Sequence, residues 1–466
     1  MHIKEHLINY INKLKNDSDL MFEHLIICLM YSYPMLFFFG LLIGQYYFAQ
    51  DFPLLFVFII SSLYFIINLI KGKKFNLTII DICCGLMIVF ITLSTIFSQD
   101  IKQTIYGYIY EGEPFTHIMT YYMLVVIGLH LKKENKIRIL KSFFILSLIE
   151  MAVALIQHTG VWIFECDERS KSMLQNGIAV GFTVNQNYFS YLMVIINAVI
   201  IGIFLISETK NKKKQAALYI LTLISFFCLM ITSSRSAWLG VAFTHAFLAL
   251  ICILKHKNGF KITIDKYIKE GLIILGMILV VTGMYVTHDS CLTSEISESK
   301  NDNKLIEEND NIDRFGSGRG HIWKMGIKTI PDHWLFGTGT DNYRHAFVGD
   351  SEFEAQPGLF IYNMAHCEPL HNLVTLGVFA FITYMTIVTT SLFKGLKKVI
   401  SVKNALGFII LLAASSYFIQ SFVSNSILST ATYFWIMLGL LNYNTDFKIL
   451  AVLSKEKLEI VKKGQK

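Results

Sequence analysis

The chain has 466 residues, of which 54% are hydrophobic, 14% aromatic and only 16% charged, and its mean hydropathy is +0.51. That balance excludes a water-soluble globular domain and makes the bilayer the expected solvent. The formal net charge of +7 would favour nucleic acid as the partner of a soluble protein. Here the lysines fall in alternate connections, as membrane insertion produces, and no nucleic-acid partner is expected.

Within the N-terminal segment 1–24, Met1 to Leu20 is polar and precedes an apolar segment too long for a signal-peptide core, so no cleaved leader is expected. A membrane-crossing helix needs roughly 20 predominantly apolar residues. Such segments run near 25–48, 54–70, 77–97, 117–131, 139–157, 188–206, 216–233, 238–254, 271–287, 370–393, 405–422 and 429–445. The predicted fold is therefore all-α: a polytopic membrane protein of about twelve transmembrane helices. Nine lie in 25–287 and three in 370–445, separated by one long, partly helical exterior loop, 288–369, and followed by a tail, 446–466.

Lysine clusters at Lys71 to Lys74, Lys132 to Lys136, Lys210 to Lys214, Lys255 to Lys269, Lys394 to Lys403 and Lys448 to Lys466 share one side of this arrangement. The positive-inside rule makes that side cytoplasmic and puts both termini there. The turns Ala49 to Pro53, Ser98 to Phe115, His158 to Asn187, Ser233 to Ala237 and Val423 to Thr430 are nearly free of lysine and fall, with the long loop, on the exterior side. Within that loop Ser294 to Asp313 is rich in Glu, Asp, Asn, Ser and Lys and reads as a flexible excursion.

The eight cysteines have no CxxC or paired metal spacing, and a disulfide among Cys166, Cys291 and Cys367 is left open. No metal site and no cofactor is expected. Of the 41 basic residues only six are arginine, yet Arg169, Arg235, Arg314, Arg319 and Arg344 all lie in exterior segments. A guanidinium forks onto phosphate or carboxylate and stays ionised where lysine shifts its pKa. An exterior anionic ligand is one reading, and exterior salt bridges are the other. Arg235 sits between two apolar segments with almost no loop, at the outer membrane boundary, where a charge faces a cavity or a partner. Trp238 beside it reads as an interfacial anchor.

Four separated stretches carry a family resemblance. They are Gly181-Phe182-Thr183-Val184-Asn185-Gln186-Asn187-Tyr188-Phe189; Ser234-Arg235-Ser236-Ala237-Trp238-Leu239-Gly240; Arg319-Gly320-His321-Ile322-Trp323 with Pro331 and Phe336-Gly337-Thr338-Gly339; and Ala365-His366-Cys367-Glu368-Pro369-Leu370-His371 with Gly377. In order and sidedness they resemble the O-antigen ligase and polymerase superfamily of bacterial membrane glycosyltransferases, most closely over 181–440. The chain departs from that pattern at Cys367, where the family commonly has Asn, and at Ile109, where an Arg precedes the position of Glu111.

The resemblance implies transfer or polymerisation of a glycan carried on undecaprenyl diphosphate, at the outer face of the cytoplasmic membrane, for capsule, O-antigen or cell-wall polymer. It implies that Arg235 and Arg319 grip the diphosphate and that His366 deprotonates the acceptor, with Glu368 as its orienting partner or as the base itself. Asn185 and Asn187 would meet sugar or diphosphate, or cap the following helix. Trp323 would stack on a sugar ring, or belong to a small core that holds the loop together. The partners implied are the lipid-linked donor, a glycan or glycolipid acceptor, membrane lipids and other polysaccharide-assembly proteins. The alternative is a non-catalytic transporter of lipid-linked oligosaccharide. A transporter should carry charge through the midplane of several spans, whereas the spans hold almost none apart from Glu150.

Overall fold

The structure is a computed structural model that describes residues 17–42, 46–70, 77–107, 112–161, 168–183, 185–257, 264–309, 315–347, 363–402 and 404–441. Among these residues it is helical with no strand. Glu111, Cys166 and Arg314, and the tail 446–466, lie outside the described residues. The helices are α1 (Ser18–Leu42), α2 (Tyr46–Ile70), α3 (Ile79–Ile96), α4 (Ile101–Tyr106), α5 (Phe115–His130), α6 (Lys133–His158), α7 (Glu168–Gln175) and α8 (Gln186–Ile206). They continue as α9 (Lys212–Met230), α10 (Arg235–Lys257), α11 (Ile264–Val286), α12 (Ser290–Asn309), α13 (Phe315–His333), α14 (Glu368–Ser401), α15 (Ala405–Gln420) and α16 (Leu428–Leu440). Nine of them are long and apolar enough to cross a membrane, and α5 and α16 are shorter apolar helices. With the 25-residue α1 they fall on the twelve segments read from the sequence.

Burial sorts the helices into layers. In α8, 94% of the apolar window is buried, against 17% in α2 and 28% in α11, so α8 is the central column and the other two face lipid. Helices in a bilayer gain little from burying apolar surface against one another; close backbone approach and buried hydrogen bonds hold them instead. Both devices are present. A Cβ on Gly128 of α5 would stand 2.8 Å from the backbone of Gly439 in α16, so these two glycines let the helices touch. Asn197 donates to Ser225 across α8 and α9 at 2.9 Å, and Thr244 and Ser416 are 2.6 Å apart across α10 and α15.

The connections gather at two ends. At one, Lys132 meets Asp19 at 3.2 Å and Arg138 donates to Glu23 at 2.6 Å. At the other, Gln103 donates to the Asp341 carbonyl at 2.7 Å, Ser290 to the Asn176 carbonyl at 2.6 Å and Ser426 to Glu113 at 3.0 Å. The lysine-poor connections described here thus share one end of the bundle with the long loop. The exception is Ala49 to Pro53, read as a turn: it lies inside α2, which contains Pro53. Spanning helices tolerate proline because neighbouring helices take up the freed backbone groups.

The stretch from Ser294, read as flexible, is helical to Asn309. Its polar composition hides an anchoring stripe: Cys291, Leu292 and Glu295 are buried, one face of a helix at positions i, i+1 and i+4. Cys291 and Cys367 are both free thiols.

Helix α14 is not one straight rod. Gly377 has φ +81° and interrupts it, and the Tyr384 hydroxyl donates to Glu368 Oε1 at 3.2 Å. Sixteen residues of straight helix would span ~24 Å, so the limb 368–376 folds back towards the limb 378–401. The segment 370–393, read as one span, therefore begins with a limb that lies at the end of the bundle where the turn after α13 docks. The turn after α13 docks at this bend: Thr338 N donates to the Val374 carbonyl at 3.0 Å, Gly339 N to Thr375 at 2.9 Å and Val378 N to Trp334 at 2.8 Å. A Cβ on Gly337 would strike the Thr375 carbonyl, and one on Gly377 the Leu335 carbonyl. The Pro-x-x-x-x-Phe-Gly-Thr-Gly stretch is a docking turn.

Candidate active site

His366 stands in the short connection that leads into α14. It has φ +50°, a left-handed conformation costly for a residue with a Cβ and kept only where its surroundings dictate it. Those surroundings are visible on both sides. Trp323 Nε1 donates to the Ala365 carbonyl at 2.9 Å, and Ala365 packs with Ile322, Met325, Tyr343 and Val374 in a small core. Cys367 then caps α14 through its backbone alone. His371, in the first turns of α14, stacks on Tyr343 at 5.4 Å and packs at the entry of the helix.

The imidazole Nδ1 of His366 lies 3.2 Å from the Asn425 amide, in the connection between α15 and α16. Burial, then the positive charge of Arg319, then His371, push its pKa down to about 4. The ring is therefore neutral at ordinary pH and carries a lone pair.

Arg319, in the second turn of α13, donates from Nη1 to the Val423 carbonyl at 2.6 Å. The same connection thus holds Arg319 at Val423 and His366 at Asn425, two residues apart. Arg235 opens α10, with Nε 3.4 Å from Glu295 Oε2. Its guanidinium side chain is 31% exposed, where an ion pair contributes at most about 1 kcal/mol, so the pairing matters for orientation. Glu295 also accepts from the Ser233 hydroxyl at 3.1 Å. Ser234 donates to Asn187 Oδ1 at 3.2 Å, and Gln420 Nε2 donates to Ser236 at 3.4 Å. The Ser-Arg-Ser segment is thereby knitted to the start of α8, to α12 through Glu295 and to the end of α15, the helix whose next turn holds Arg319.

The other residues read from the sequence divide. Asn185 caps α8, its side chain accepting from Asn187 N at 2.9 Å, while Asn187 reaches Ser234. Trp323 tethers the histidine segment from the loop core. Glu368 is 2% exposed and takes its hydrogen bond from Tyr384, and its Oε2 is buried without a partner. The hydrogen bond on His366 Nδ1 runs to Asn425. Arg344 donates to Gln103 at 2.6 Å, so one of the arginines read as exterior makes a structural contact.

Sequence reasoning passed over Asn425, Glu295 and Glu113. Glu113 accepts from Tyr121 at 2.6 Å and from Ser426 at 3.0 Å. Burial raises its pKa to about 7 against the lowering effect of those two bonds. The available signals were faint: a Ser-Asn-Ser run, Ser424 to Ser426, inside an apolar region, and an acid two residues after Glu111. Among the described residues no group of three His, Cys, Asp or Glu side chains is placed to hold a metal ion.

A helical bundle with nine helices long and apolar enough to cross a membrane among the described residues, and with arginines, a buried carboxyl and a strained histidine towards one end, defines a multi-pass membrane protein. Residues 220–385 match the O-antigen ligase family, which bears out the resemblance to the O-antigen ligase and polymerase superfamily. The matched stretch includes Arg235, Arg319, Trp323, His366 and Glu368; Glu113, Asn185, Asn187 and Asn425 lie outside it. No curated protein matches the chain.

Proposed function

We propose that the protein is a metal-independent, inverting glycosyltransferase, a polymerase or ligase that takes its glycan from undecaprenyl diphosphate. The acceptor hydroxyl attacks the anomeric carbon while His366 Nε2 takes its proton. The bond from that carbon to the diphosphate oxygen breaks, and the lipid diphosphate leaves with the electron pair. Arg319 and Arg235 meet the charge that gathers on it, and preorganised cations do this best where water is excluded. In this reading Asn187 and Asn185 lie on the sugar side of the clamp, Trp323 fixes the approach to His366, and Glu368, bonded to Tyr384, holds the start of the helix that follows the base.

One observation carries the reading: Arg319 and His366, which must act on opposite ends of the breaking and forming bonds, are held by the same connection, at Val423 and Asn425. Reconstituted protein given a polyprenyl-diphosphate saccharide and an acceptor should yield a product of inverted anomeric configuration at a rate that a chelator leaves unchanged. Retained configuration, or loss of activity on chelation, would overturn the single-displacement, arginine-held mechanism.

The site faces the exterior of the cytoplasmic membrane, with both termini in the cytoplasm, because lysine clusters mark the opposite end. In a background without reactive native cysteines, an impermeant thiol reagent should label a cysteine placed at Asn309 in intact cells and leave one at Lys212 unlabelled. The reverse pattern would invert the topology.

A further inference from the structure

The Asn425 amide is 4% exposed and meets His366 Nδ1 at 3.2 Å, while its own Oδ1 is buried with no partner. The oxygen and nitrogen of an amide are nearly isosteric, so the contact admits two arrangements. With Nδ2 on the ring, Nδ1 accepts, and a neutral imidazole then carries its proton on Nε2, where it cannot act as a base. With Oδ1 on the ring, Nδ1–H donates, and the lone pair sits on Nε2. As placed, the amide oxygen points away from the ring, buried and unmatched, and the flipped arrangement puts Nδ2 in that same position, beside a site that would receive a hydroxyl-rich saccharide. An orphaned buried polar atom is costly, and a ligand hydroxyl can satisfy it in both cases.

We infer that Asn425 is a positioning residue for His366: its amide oxygen accepts from Nδ1–H and leaves the Nε2 lone pair aimed at the acceptor, while its Nδ2 donates to an acceptor-sugar hydroxyl. The inference rests on the transferase reading for its kinetic consequences but not for the tautomer itself. The segment around Asn425 is suited to the task. Arg319 is bonded to the Val423 carbonyl, Ser424 to the Gln420 carbonyl at 3.0 Å and Ser426 to Glu113, so the amide is fixed from both sides. The charged and titratable groups around His366 are Arg319 from α13, Cys367, Glu368 and His371 from α14, and Glu113 behind Ser426. Of these, Arg319 and His371 disfavour the imidazolium, so a neutral orienting group suits a base that must start unprotonated.

Two measurements on the full-length protein test this. Nitrogen NMR of histidine-labelled protein, with His366 identified by its loss in His366→Gln, should show Nδ1 protonated and Nε2 bare in the wild type, and a mixture of tautomers in Asn425→Leu. A wild-type signal with the proton on Nε2 overturns the inference, whatever the protein's reaction. In the transfer assay, Asn425→Leu should lower kcat at least about tenfold, since a misplaced imidazole proton disables a histidine base, with KM for the lipid donor little changed. Asn425→Asp should keep the fold and move the acid limb of kcat/KM upward by about one pH unit or more, because a carboxylate on Nδ1 favours the imidazolium. An unmoved limb in Asn425→Asp, or a raised KM for the lipid donor with unchanged kcat in Asn425→Leu, would reduce Asn425 to a structural residue. If the wild type transfers nothing while the NMR result holds, the transferase reading fails and the tautomer assignment stands.

Discussion

His366→Ala is expected to lower the transfer rate by about 10²- to 10⁴-fold, the range for loss of a general base, while binding of the lipid-linked donor changes little. The pH dependence follows from the sign of the shift. Because burial and Arg319 hold the imidazole pKa down to about 4, the base is unprotonated across the neutral range, and kcat/KM should fall only as pH drops towards that value. A bound diphosphate would offset the charge of Arg319 and favour the imidazolium, so the acid limb of kcat should lie above that of kcat/KM. Full activity of His366→Ala beside an inactive Glu368→Gln would move the proton acceptor to Glu368. The geometry speaks against that outcome: Glu368 is buried against Tyr384, whereas His366 stands half-buried in the connection before α14.

Arg319→Lys and Arg235→Lys should each lower transfer by about 10²-fold or more, the cost of removing one donor from a charge-stabilising site, with folding retained. Lysine keeps the charge but loses the fork. At Arg319 the reason is specific: Nη1 is engaged by the Val423 carbonyl, and the remaining guanidinium edge can meet a phosphate only because the group has several donors. A single ammonium cannot hold both so well. Near wild-type rates in both lysine variants would remove the clamp from the mechanism. Glu295→Gln separates orientation from charge at Arg235: it should weaken donor binding modestly through the lost 3.4 Å pairing without approaching the effect of Arg235→Lys.

The membrane architecture was legible because hydropathy and lysine placement report directly on spans and on which connections share an end. Among the described residues every apolar segment holds a helix, and Asn185 caps α8 as one of its two readings required. What stayed hidden was backbone direction. Residues 370–376 are apolar enough to pass as the start of a span, and only the left-handed Gly377 and the bond from Tyr384 to Glu368 reveal that the chain turns there. Similarly, Ser290 to Asn309 has the composition of a disordered segment, because Cys291, Leu292 and Glu295 are too few to register as a hydrophobic face. At the site, arginine use against a lysine background exposed Arg235 and Arg319, and the histidine segment exposed His366. Asn425 carried no such contrast: it is one amide in a short turn between apolar helices, and its importance comes from what folds onto it, from α13 and α14, about sixty to a hundred residues earlier.

Both a transferase and a transporter could bind a lipid diphosphate with these arginines, and only one of them makes a bond. The deciding measurement is therefore the coupling of bond formation to carrier release in proteoliposomes loaded with a polyprenyl-diphosphate oligosaccharide and an acceptor glycan. One free polyprenyl diphosphate should appear for each new glycosidic bond, and both should form about 10²- to 10⁴-fold more slowly with His366→Ala. Movement of intact donor between leaflets, with no free carrier and no new bond, would contradict the transferase account and establish the transporter in its place.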